Sequence, residues 1–292
     1  MSGVDWLRLL RPHQWIKNGF VLAPLLFSGL ASQPTQVAAA ALAFAAFCLL
    51  ASGGYVINDL LDREADGQHP SKRGRPLAAG RIKARRALQV AGGLTGAGLL
   101  LAFTVNPSVG VVGLLYVALG LAYSFGLKRM VIIDVFAISA FYVLRLVAGS
   151  AAIEVRPSIW LLLCGGLLAL YLGFAKRRHE LLLLGEGSTN HRSVLRDYSP
   201  TFLDQMSVVL LSVTIVSYLM YAVSSETAAR FGSDLLAYGS VFVLYGVFRY
   251  MYLVHRRGAG GSPTETLLTD RSLLAAVAGW LLYCGWVIYR PW

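Results

Sequence analysis

An unusual concentration of acidic side chains ends the second long apolar run of the sequence. Four acids and one amide follow each other there at short intervals: Asn58, Asp59, Asp62, Glu64 and Asp66. If the run is helical, Asn58, Asp62 and Asp66 recur every four residues on one face, with Asp59 one position round. Carboxylates at such spacing can share divalent cations, and Mg²⁺ favours a few carboxylates together with the oxygens of a substrate phosphate. The pattern therefore predicts metal-assisted chemistry on a phosphorylated substrate.

A cluster of cations follows the acids directly. Lys72, Arg73 and Arg75 stand between two prolines that break the helix, and their side chains are suited to phosphate groups. A plainer interpretation is an acidic and basic loop that merely adjoins a helix end. Charges beside an apolar run of bilayer length are costly to place and usually functional, so we interpret the stretch as a site.

The composition is that of a membrane protein. Of the 292 residues, 56% are hydrophobic and only 14% charged, whereas about a quarter are charged in a typical soluble domain. The apolar residues fall in blocks of nearly bilayer length, which predicts an all-α polytopic membrane protein with nine transmembrane helices. We expect one domain over residues 1–292, with cytoplasmic loops and short helices at about 59–85, 177–201 and 255–271. The predicted spans lie at about 17–33, 37–58, 86–105, 109–127, 132–153, 157–176, 202–223, 234–254 and 272–289.

The distribution of positive charge predicts the orientation. With nine spans, 22 of the 26 Lys and Arg residues fall on the side that holds the N-terminus and the acidic stretch. The positive-inside rule places that side in the cytoplasm of a bacterial-type inner membrane. This asymmetry explains the net charge of +11 without nucleic acid, and a basic face favours anionic lipids and phosphorylated substrates.

Several other polar residues lie at or inside the predicted spans. Lys17 and Asn18 end a basic, amphipathic N-terminal segment that we expect at the membrane interface, where they either anchor the helix or reach the site. Asp134 and Arg145 share one face of the fifth span, and a buried Arg there either joins helices or contacts substrate. Lys176, Arg177 and Glu180 end the sixth span, where Lys176 and Glu180 have the spacing of a helical ion pair.

Local signals indicate where some later helices begin. Ser199 followed by Pro200 is typical of an N-cap and first helical position, and Asp270 is placed to cap the last span. Ser262, Pro263 and Glu265 form a capping box that predicts a short helix. The three cysteines lie in apolar spans without metal-ligand spacing, so we expect buried thiols.

These motifs together resemble the UbiA superfamily of intramembrane prenyltransferases, and within it most closely the decaprenyl-phosphate phosphoribosyltransferase branch. The resemblance runs from the N-terminus to beyond span six. It rests on Asn58-Asp59-x-x-Asp62-x-x-x-Asp66, Arg11-Pro12-x-Gln14-Trp15-x-Lys17-Asn18, His69-Pro-x-Lys72-Arg73-x-Arg75-Pro76, Tyr123-x-x-Gly126-Leu-Lys128 and Lys176-Arg177-x-x-Glu180.

The resemblance implies a UbiA-like helical bundle and a Mg²⁺-dependent transfer. The 5-phosphoribosyl group of 5-phosphoribosyl 1-diphosphate would pass to a polyprenyl phosphate in the lipid bilayer, and diphosphate would be released. Asn58, Asp59, Asp62 and Asp66 would hold the metal, with the three Asp residues catalytic. The residues implied for substrate are Lys17, Asn18, Asn58, Lys72, Arg73, Arg75, Tyr123, Lys128, Asp134, Arg145, Lys176, Arg177 and Glu180. The resemblance does not decide whether the protein forms a homo-oligomer.

One departure and two alternatives accompany this interpretation. Most aromatic prenyltransferases of the superfamily carry a second Asp-rich motif after span six, whereas this chain is mainly basic there, which suits a donor with an additional phosphate. A prenyltransferase could use the same acids to ionise a prenyl diphosphate and alkylate an aromatic or lipid acceptor. A transporter would concentrate its charges near the membrane midplane, while this chain places nearly all of them at one face.

Overall fold

The protein consists of helices joined by turns in the part that the computed structural model describes, residues 3–68, 72–184, 195, 197–257 and 263–290. These residues belong to two compact units, one within 1–157 and the other within 158–188 and 195–292. The single domain expected over 1–292 stays a prediction.

The first unit contains seven α-helices and two stretches of 3-10 helix. The α-helices are α1 (Gly3–Leu10), α2 (Ala23–Phe27), α3 (Pro34–Leu61), α4 (Arg63–Gln68), α5 (Ala84–Val105), α6 (Pro107–Phe125) and α7 (Ile133–Ala152), and the 3-10 helices are Pro12–Val21 and Leu127–Arg129. The long helices alternate in direction, so the end of α3, the start of α5, the end of α6 and the start of α7 lie at one end of the unit.

The segment predicted as a first span, about 17–33, is not a continuous α-helix. It consists of the 3-10 helix Pro12–Val21, a turn and the five-residue α2. Pro24 at the start of α2 has no N–H to donate to a preceding turn, which helps to interrupt the helix. Eight helical segments in the described ranges are long and apolar enough to cross a bilayer, and this one is not among them.

Small residues let the helices of the first unit approach closely. A Cβ on Gly53 would lie 2.6 Å from Thr95 Oγ1 of α5, so the packing of α3 against α5 depends on a glycine. A Cβ on Gly149 of α7 would lie 2.0 Å from the carbonyl oxygen of Val21. The 3-10 helix is therefore seated directly on the backbone of α7, and the apolar core beside it includes Val21, Phe47, Leu50, Val109 and Ala148.

The second unit is built mainly from six α-helices in the described part of the chain. They are α8 (Ile159–Leu184), α9 (Pro200–Val223), α10 (Ser225–Phe231), α11 (Ser240–Arg257), α12 (Pro263–Thr269) and α13 (Arg271–Tyr289), and the 3-10 turn Leu235–Gly239 precedes α11. The core lies between α8, α9, α11 and α13 and includes Tyr171, Leu211, Leu253 and Leu273.

Helix starts in the second unit follow the local sequence signals. Ser199 Oγ accepts a hydrogen bond of 3.1 Å from the Phe202 N–H at the start of α9, and Asp270 Oδ1 accepts one of 2.9 Å from the Leu273 N–H at the start of α13. Both predicted caps are confirmed. Helix α12 begins at Pro263 as the capping box predicts, while Ser262 lies outside the described residues.

Eight spans, rather than the nine predicted, are thus found among the described residues. Seven are the long α-helices α3, α5, α6, α7, α8, α9 and α13, and the eighth combines the Leu235–Gly239 turn with α11. The chain is an all-α multi-pass membrane protein, and the predicted cytoplasmic position of its short helices stays a prediction.

Candidate active site

The acidic stretch lies where helix α3 ends and α4 begins. Asp62 separates the two helices with φ −92° and ψ 6°. The Asp66 N–H nevertheless donates to the Asp62 carbonyl oxygen at 2.8 Å, so the helical spacing continues across the junction. Asn58 and Asp59 therefore lie on one turn, and Asp62 and Asp66 follow on the next two.

Asn58, Asp59, Asp62 and Asp66 form an acidic cluster with two halves. Asn58 and Asp62 make up one half, which surrounds Lys128. Lys128 Nζ lies 2.5 Å from Asp62 Oδ1 and 3.4 Å from Asn58 Oδ1. Asn58 Nδ2 donates to Asp62 Oδ2 at 3.1 Å, and the Ser124 hydroxyl donates to Asn58 Oδ1 at 3.4 Å. The short 3-10 turn after α6 thus places a buried ammonium group against Asn58 of α3 and against Asp62, which follows that helix.

Asp59 and Asp66 form the other half around Arg75. Arg75 Nη1 lies 2.9 Å from Asp59 Oδ1 and 2.6 Å from Asp66 Oδ2. Seven residues are nearly two helical turns, so these two carboxylates lie on the same side of the chain. The sequence pattern had placed Asp66 with Asn58 and Asp62, whereas its carboxylate meets the guanidinium that also binds Asp59.

Arg11 completes this half and had not been selected as a site residue from the sequence. Its Nη2 lies 2.5 Å from Asp59 Oδ1 and 2.7 Å from Asp59 Oδ2, and its guanidinium carbon lies 5.2 Å from the centre of the Tyr55 ring. The contact joins residues 48 positions apart, which no local spacing rule connects. The signals in the sequence were the place of Arg11 in the amphipathic N-terminal segment and in the motif Arg11-Pro12-x-Gln14-Trp15-x-Lys17-Asn18.

The charges of the cluster affect the titration of Asp66. Burial raises the pKa of this carboxyl, and the nearby negative charge of Asp59 raises it further, while Arg75 and Lys72 act in the opposite direction. The net result is a pKa above the ordinary Asp value. Lys72 is half-buried near this carboxylate, whereas Arg73 is exposed.

The oxygen donors of the cluster are of the type that Mg²⁺ prefers. In the described ranges, no group of three Asp, Glu, His or Cys side chains is arranged to hold a metal ion. The reason is visible in the contacts: Asp59, Asp62 and Asp66 each bind an ammonium or guanidinium nitrogen. The Lys128 ammonium group already lies where an oxygen of Asn58 and an oxygen of Asp62 converge, so these donors fit a cation.

Asn18 and Arg145 bind each other away from the acids. Arg145 Nε donates to Asn18 Oδ1 at 2.7 Å, and its Nη2 donates to the Tyr116 hydroxyl at 2.6 Å. Asn18 Nδ2 in turn donates to Cys48 Sγ at 3.2 Å. Both residues are buried, and the network joins the first 3-10 helix to α3, α6 and α7. These contacts favour the helix-joining interpretation of Arg145.

The remaining predicted residues of the first unit lie on the same elements. Lys17 is half-buried in the first 3-10 helix, and Asp134 is fully buried in the first turn of α7. Tyr123 precedes Ser124 near the end of α6, with its ring 6.2 Å from that of Phe141.

Lys176, Arg177 and Glu180 lie in the second unit, on helix α8. Arg177 is fully buried, and its Nη1 lies 2.5 Å from Glu180 Oε2. The next residue, Arg178, binds Asp204 of α9. The structure therefore brings the acids, Arg75 and Lys128 together in one unit and pairs Arg177 with Glu180 in the other.

Comparison with known proteins gives relatives over nearly the whole chain. The decaprenyl-phosphate phosphoribosyltransferase of Mycolicibacterium smegmatis is 33% identical, with 97% of this chain and 92% of that protein covered. The protein of the same name from Corynebacterium glutamicum is 32% identical, with 97% and 86% covered.

The fold also matches a solved structure, that of a UbiA homolog from Archaeoglobus fulgidus bound to DMAPP and Mg²⁺. The TM-score is 0.72 at 20% identity, with 97% of this chain and 99% of that chain covered. The profile of the UbiA prenyltransferase family matches residues 21–268. With this profile match, and with relatives above 30% identity over nearly full length, the chain is a transferase that belongs to the UbiA prenyltransferase family.

Proposed function

We propose that this protein transfers the 5-phosphoribosyl group of 5-phosphoribosyl 1-diphosphate to a polyprenyl phosphate and releases diphosphate. The observation that carries the proposal is the 33% identity to a decaprenyl-phosphate phosphoribosyltransferase over 97% of the chain. The bacterial relatives also support a place in the inner membrane, with the acidic cluster facing the cytoplasm, where a water-soluble donor is available.

The balance of charge in the cluster supports a donor with several phosphates. Arg75 and Lys128 contact the acids directly, and Lys72 lies near Asp66. We propose that Lys72, Arg73, Arg75 and Lys128 bind the phosphate groups of the donor, since ammonium and guanidinium groups are strong phosphate partners. Lys17, on the first 3-10 helix, is a further candidate for the same role.

Asn58, Asp62 and Asp66 are the residues that we propose to hold magnesium. Asp59 is less suited, because both of its oxygens accept hydrogen bonds from arginines. A bound Mg²⁺ would neutralise charge on the diphosphate as it departs. The binding of Mg²⁺ by the Archaeoglobus fulgidus relative supports this cofactor.

The transfer itself needs no strong base from the protein. The bond between the ribosyl carbon and the diphosphate oxygen breaks with its electron pair on the diphosphate, and an anionic oxygen of the lipid phosphate forms the new bond. The cations of the cluster stabilise charge that develops on the leaving group. The polyprenyl tail would stay among apolar helix faces while its phosphate reaches the site.

A prenyltransferase remains the second candidate, because the Archaeoglobus fulgidus relative binds DMAPP. The two functions are separated by incubating membranes with labelled 5-phosphoribosyl 1-diphosphate and a polyprenyl phosphate, and in parallel with a prenyl diphosphate and 4-hydroxybenzoate. We expect label in lipid only in the first mixture, and loss of that label when EDTA removes Mg²⁺. Product in the second mixture alone would reverse the assignment.

A further inference from the structure

We infer that Arg11 is a further anion-binding residue and that Asp59 positions it instead of holding metal. The anion is a phosphate group of a substrate, so the inference rests on the proposed function for its ligand. Four contacts with helix α3 fix Arg11, two through its neighbours in the chain and two through its own side chain.

The backbone of Arg11 is strained. Its φ of 53° and ψ of 55° lie in the left-handed region, which few residues other than glycine adopt. Such a conformation costs roughly 1–3 kcal/mol and persists where the surroundings over-determine it. It lies between α1 and the first 3-10 helix and directs the chain from one to the other.

One hydroxyl holds the chain on both sides of Arg11. The Ser52 hydroxyl donates to the Leu10 carbonyl oxygen at 2.9 Å, and the Trp15 indole N–H donates to Ser52 Oγ at 3.0 Å. The turn that contains Arg11 is therefore tied to α3 by residues before and after it. This contact explains how a strained conformation is maintained at this position.

The side chain of Arg11 is held by the next turns of the same helix. Ser52, Tyr55 and Asp59 are three and four residues apart, so they share one face of α3. Tyr55 presents its ring to the guanidinium at 5.2 Å, and Asp59 accepts both hydrogen bonds from Nη2. Helix α3 thus determines where the guanidinium lies.

Asp59 brings two like charges together. Arg11 and Arg75 both bind its Oδ1, at 2.5 Å and 2.9 Å, and Asp59 is only 2% exposed. Withdrawing this carboxylate to a metal would leave Arg11 without the acid that it binds and Arg75 with Asp66 alone, and separating the members of a partly buried ion pair is costly. Its contacts therefore favour a role in holding the arginines.

The two arginines retain donors for a further anion. Arg11 Nε and Nη1 donate to no group in the described part of the chain, and its side chain is 21% exposed. Guanidinium groups match phosphate oxygens with paired N–H donors. Once Asp66 binds magnesium, as proposed, Arg11 and Arg75 carry two positive charges against the single negative charge of Asp59, and a phosphate beside them would offset the excess.

The test measures binding without turnover, on the purified full-length protein in detergent. Inorganic diphosphate and ribose 5-phosphate are titrated separately, to distinguish the two ends of the donor, and Mn²⁺ binding is followed by electron paramagnetic resonance at saturating diphosphate. The variants are Arg11→Gln, Arg11→Lys, Asp59→Asn and Asp62→Asn. The matched control is Arg8→Gln, which removes an exposed arginine three residues away.

We expect Arg11→Gln to lower the affinity for one of the two anions about tenfold or more, because the substitution removes charge-assisted hydrogen bonds. Arg11→Lys should recover part of that affinity, and Arg8→Gln should not change it. Asp59→Asn should weaken the binding of the same anion but change the affinity for Mn²⁺ by no more than about twofold. Asp62→Asn should lower the affinity for Mn²⁺ about tenfold or more.

Unchanged affinity of Arg11→Gln for both anions, or no binding of either by the unmodified protein, would overturn the inference. Equal Mn²⁺ affinities of Asp59→Asn and Asp62→Asn would do the same. These outcomes do not depend on which group is transferred. Absence of labelled lipid with the unmodified protein would instead contradict the proposed function.

Discussion

At the scale of single residues, the cluster carries several charges without leaving a carboxylate unmatched. Asp59, Asp62 and Asp66 each contact a cation within 3 Å, and Asp59 contacts two. Removing one member of a buried ion pair is costly because its partner then lacks compensation. Neutral, isosteric substitutions are therefore the appropriate probes of individual roles.

Asp62→Asn should abolish catalysis while the protein stays folded. The amide can still accept a hydrogen bond from Lys128 but loses the negative charge that a magnesium ion requires. We expect kcat to fall about 100-fold or more, while the protein still unfolds in one cooperative transition in detergent. Radiolabel transfer and thermal unfolding measure the two effects.

Glu64→Gln is the matched control for Asp62→Asn. Glu64 is an exposed acid on α4, two residues away. It should retain nearly full activity. Comparable losses in both variants would indicate a general electrostatic effect, and near-normal activity of Asp62→Asn would remove the proposed metal role.

On the acidic side of the pH profile, the loss of activity should follow the protonation of Asp66. Its pKa is raised by burial, so as pH falls it takes up a proton earlier than an ordinary Asp and can no longer bind a cation. Activity limited by this carboxylate is therefore full well above its raised pKa and is lost as pH falls through it. We expect the midpoint of kcat/KM above about pH 4, the ordinary range of Asp.

A pH series at saturating lipid acceptor measures that midpoint. Glu64→Gln should leave it unchanged, since Glu64 is exposed and its charge is not held by the cluster. A midpoint at or below the ordinary Asp range would contradict the assignment of Asp66 to the metal.

Sequence spacing predicted the centre of the candidate site but only part of its surroundings. The acids, Arg75 and Lys128 follow from residue type and from their position beside apolar runs. The contacts of Arg11, Tyr55 and Ser124 do not, because they depend on tertiary packing between segments far apart in the chain.

At the scale of elements, the 3-10 helix Pro12–Val21 is the part that hydropathy described least well. Its apolar residues have the composition of a span, yet Asn18 bonds to Arg145 and Val21 contacts Gly149. These tertiary contacts decide its conformation, and no periodicity in the sequence records them. Helix starts, by contrast, were predicted from single residues such as Asp270, because capping is local.

Gly149→Ala should displace this 3-10 helix. The added methyl would lie 2.0 Å from the Val21 carbonyl oxygen, a backbone atom that cannot rotate away. We expect a loss of about 1–3 kcal/mol, typical of overpacking, seen as a lower melting temperature in detergent.

Gly54→Ala provides the matched control for that substitution. Gly54 also lies in a spanning helix, and a Cβ there has nothing within 4 Å. Alanine should be tolerated or slightly favoured, since glycine weakens a helix interior. Equal melting temperatures for the two variants would contradict the close packing of α7 on the 3-10 helix.

At the scale of the whole molecule, hydropathy and charge predicted most of the architecture. Eight of the nine predicted spans correspond to helical segments of suitable length and composition. Boundaries moved by a few residues because caps and prolines, which hydropathy does not weigh, set the ends. Orientation in the membrane is a matter of the charged loops and stays a prediction.

Two introduced cysteines can test that orientation. In a variant whose three native cysteines are replaced by alanine, Ala79→Cys marks the loop after the acids and Ser108→Cys the opposite end of the first unit. Both positions are exposed. The positive-inside rule predicts that an impermeant maleimide labels Ala79→Cys only in inside-out vesicles and Ser108→Cys only in right-side-out vesicles. The reverse pattern would contradict the cytoplasmic site.

Because one nitrogen of Arg75 binds both Asp59 and Asp66, the effects of substituting these two acids are coupled. Once either carboxylate is lost, the guanidinium is already released from half of its bridge, so a second loss removes less than it would alone. Double substitutions of Asp59 and Asp66 should therefore be less than additive in their effect on stability.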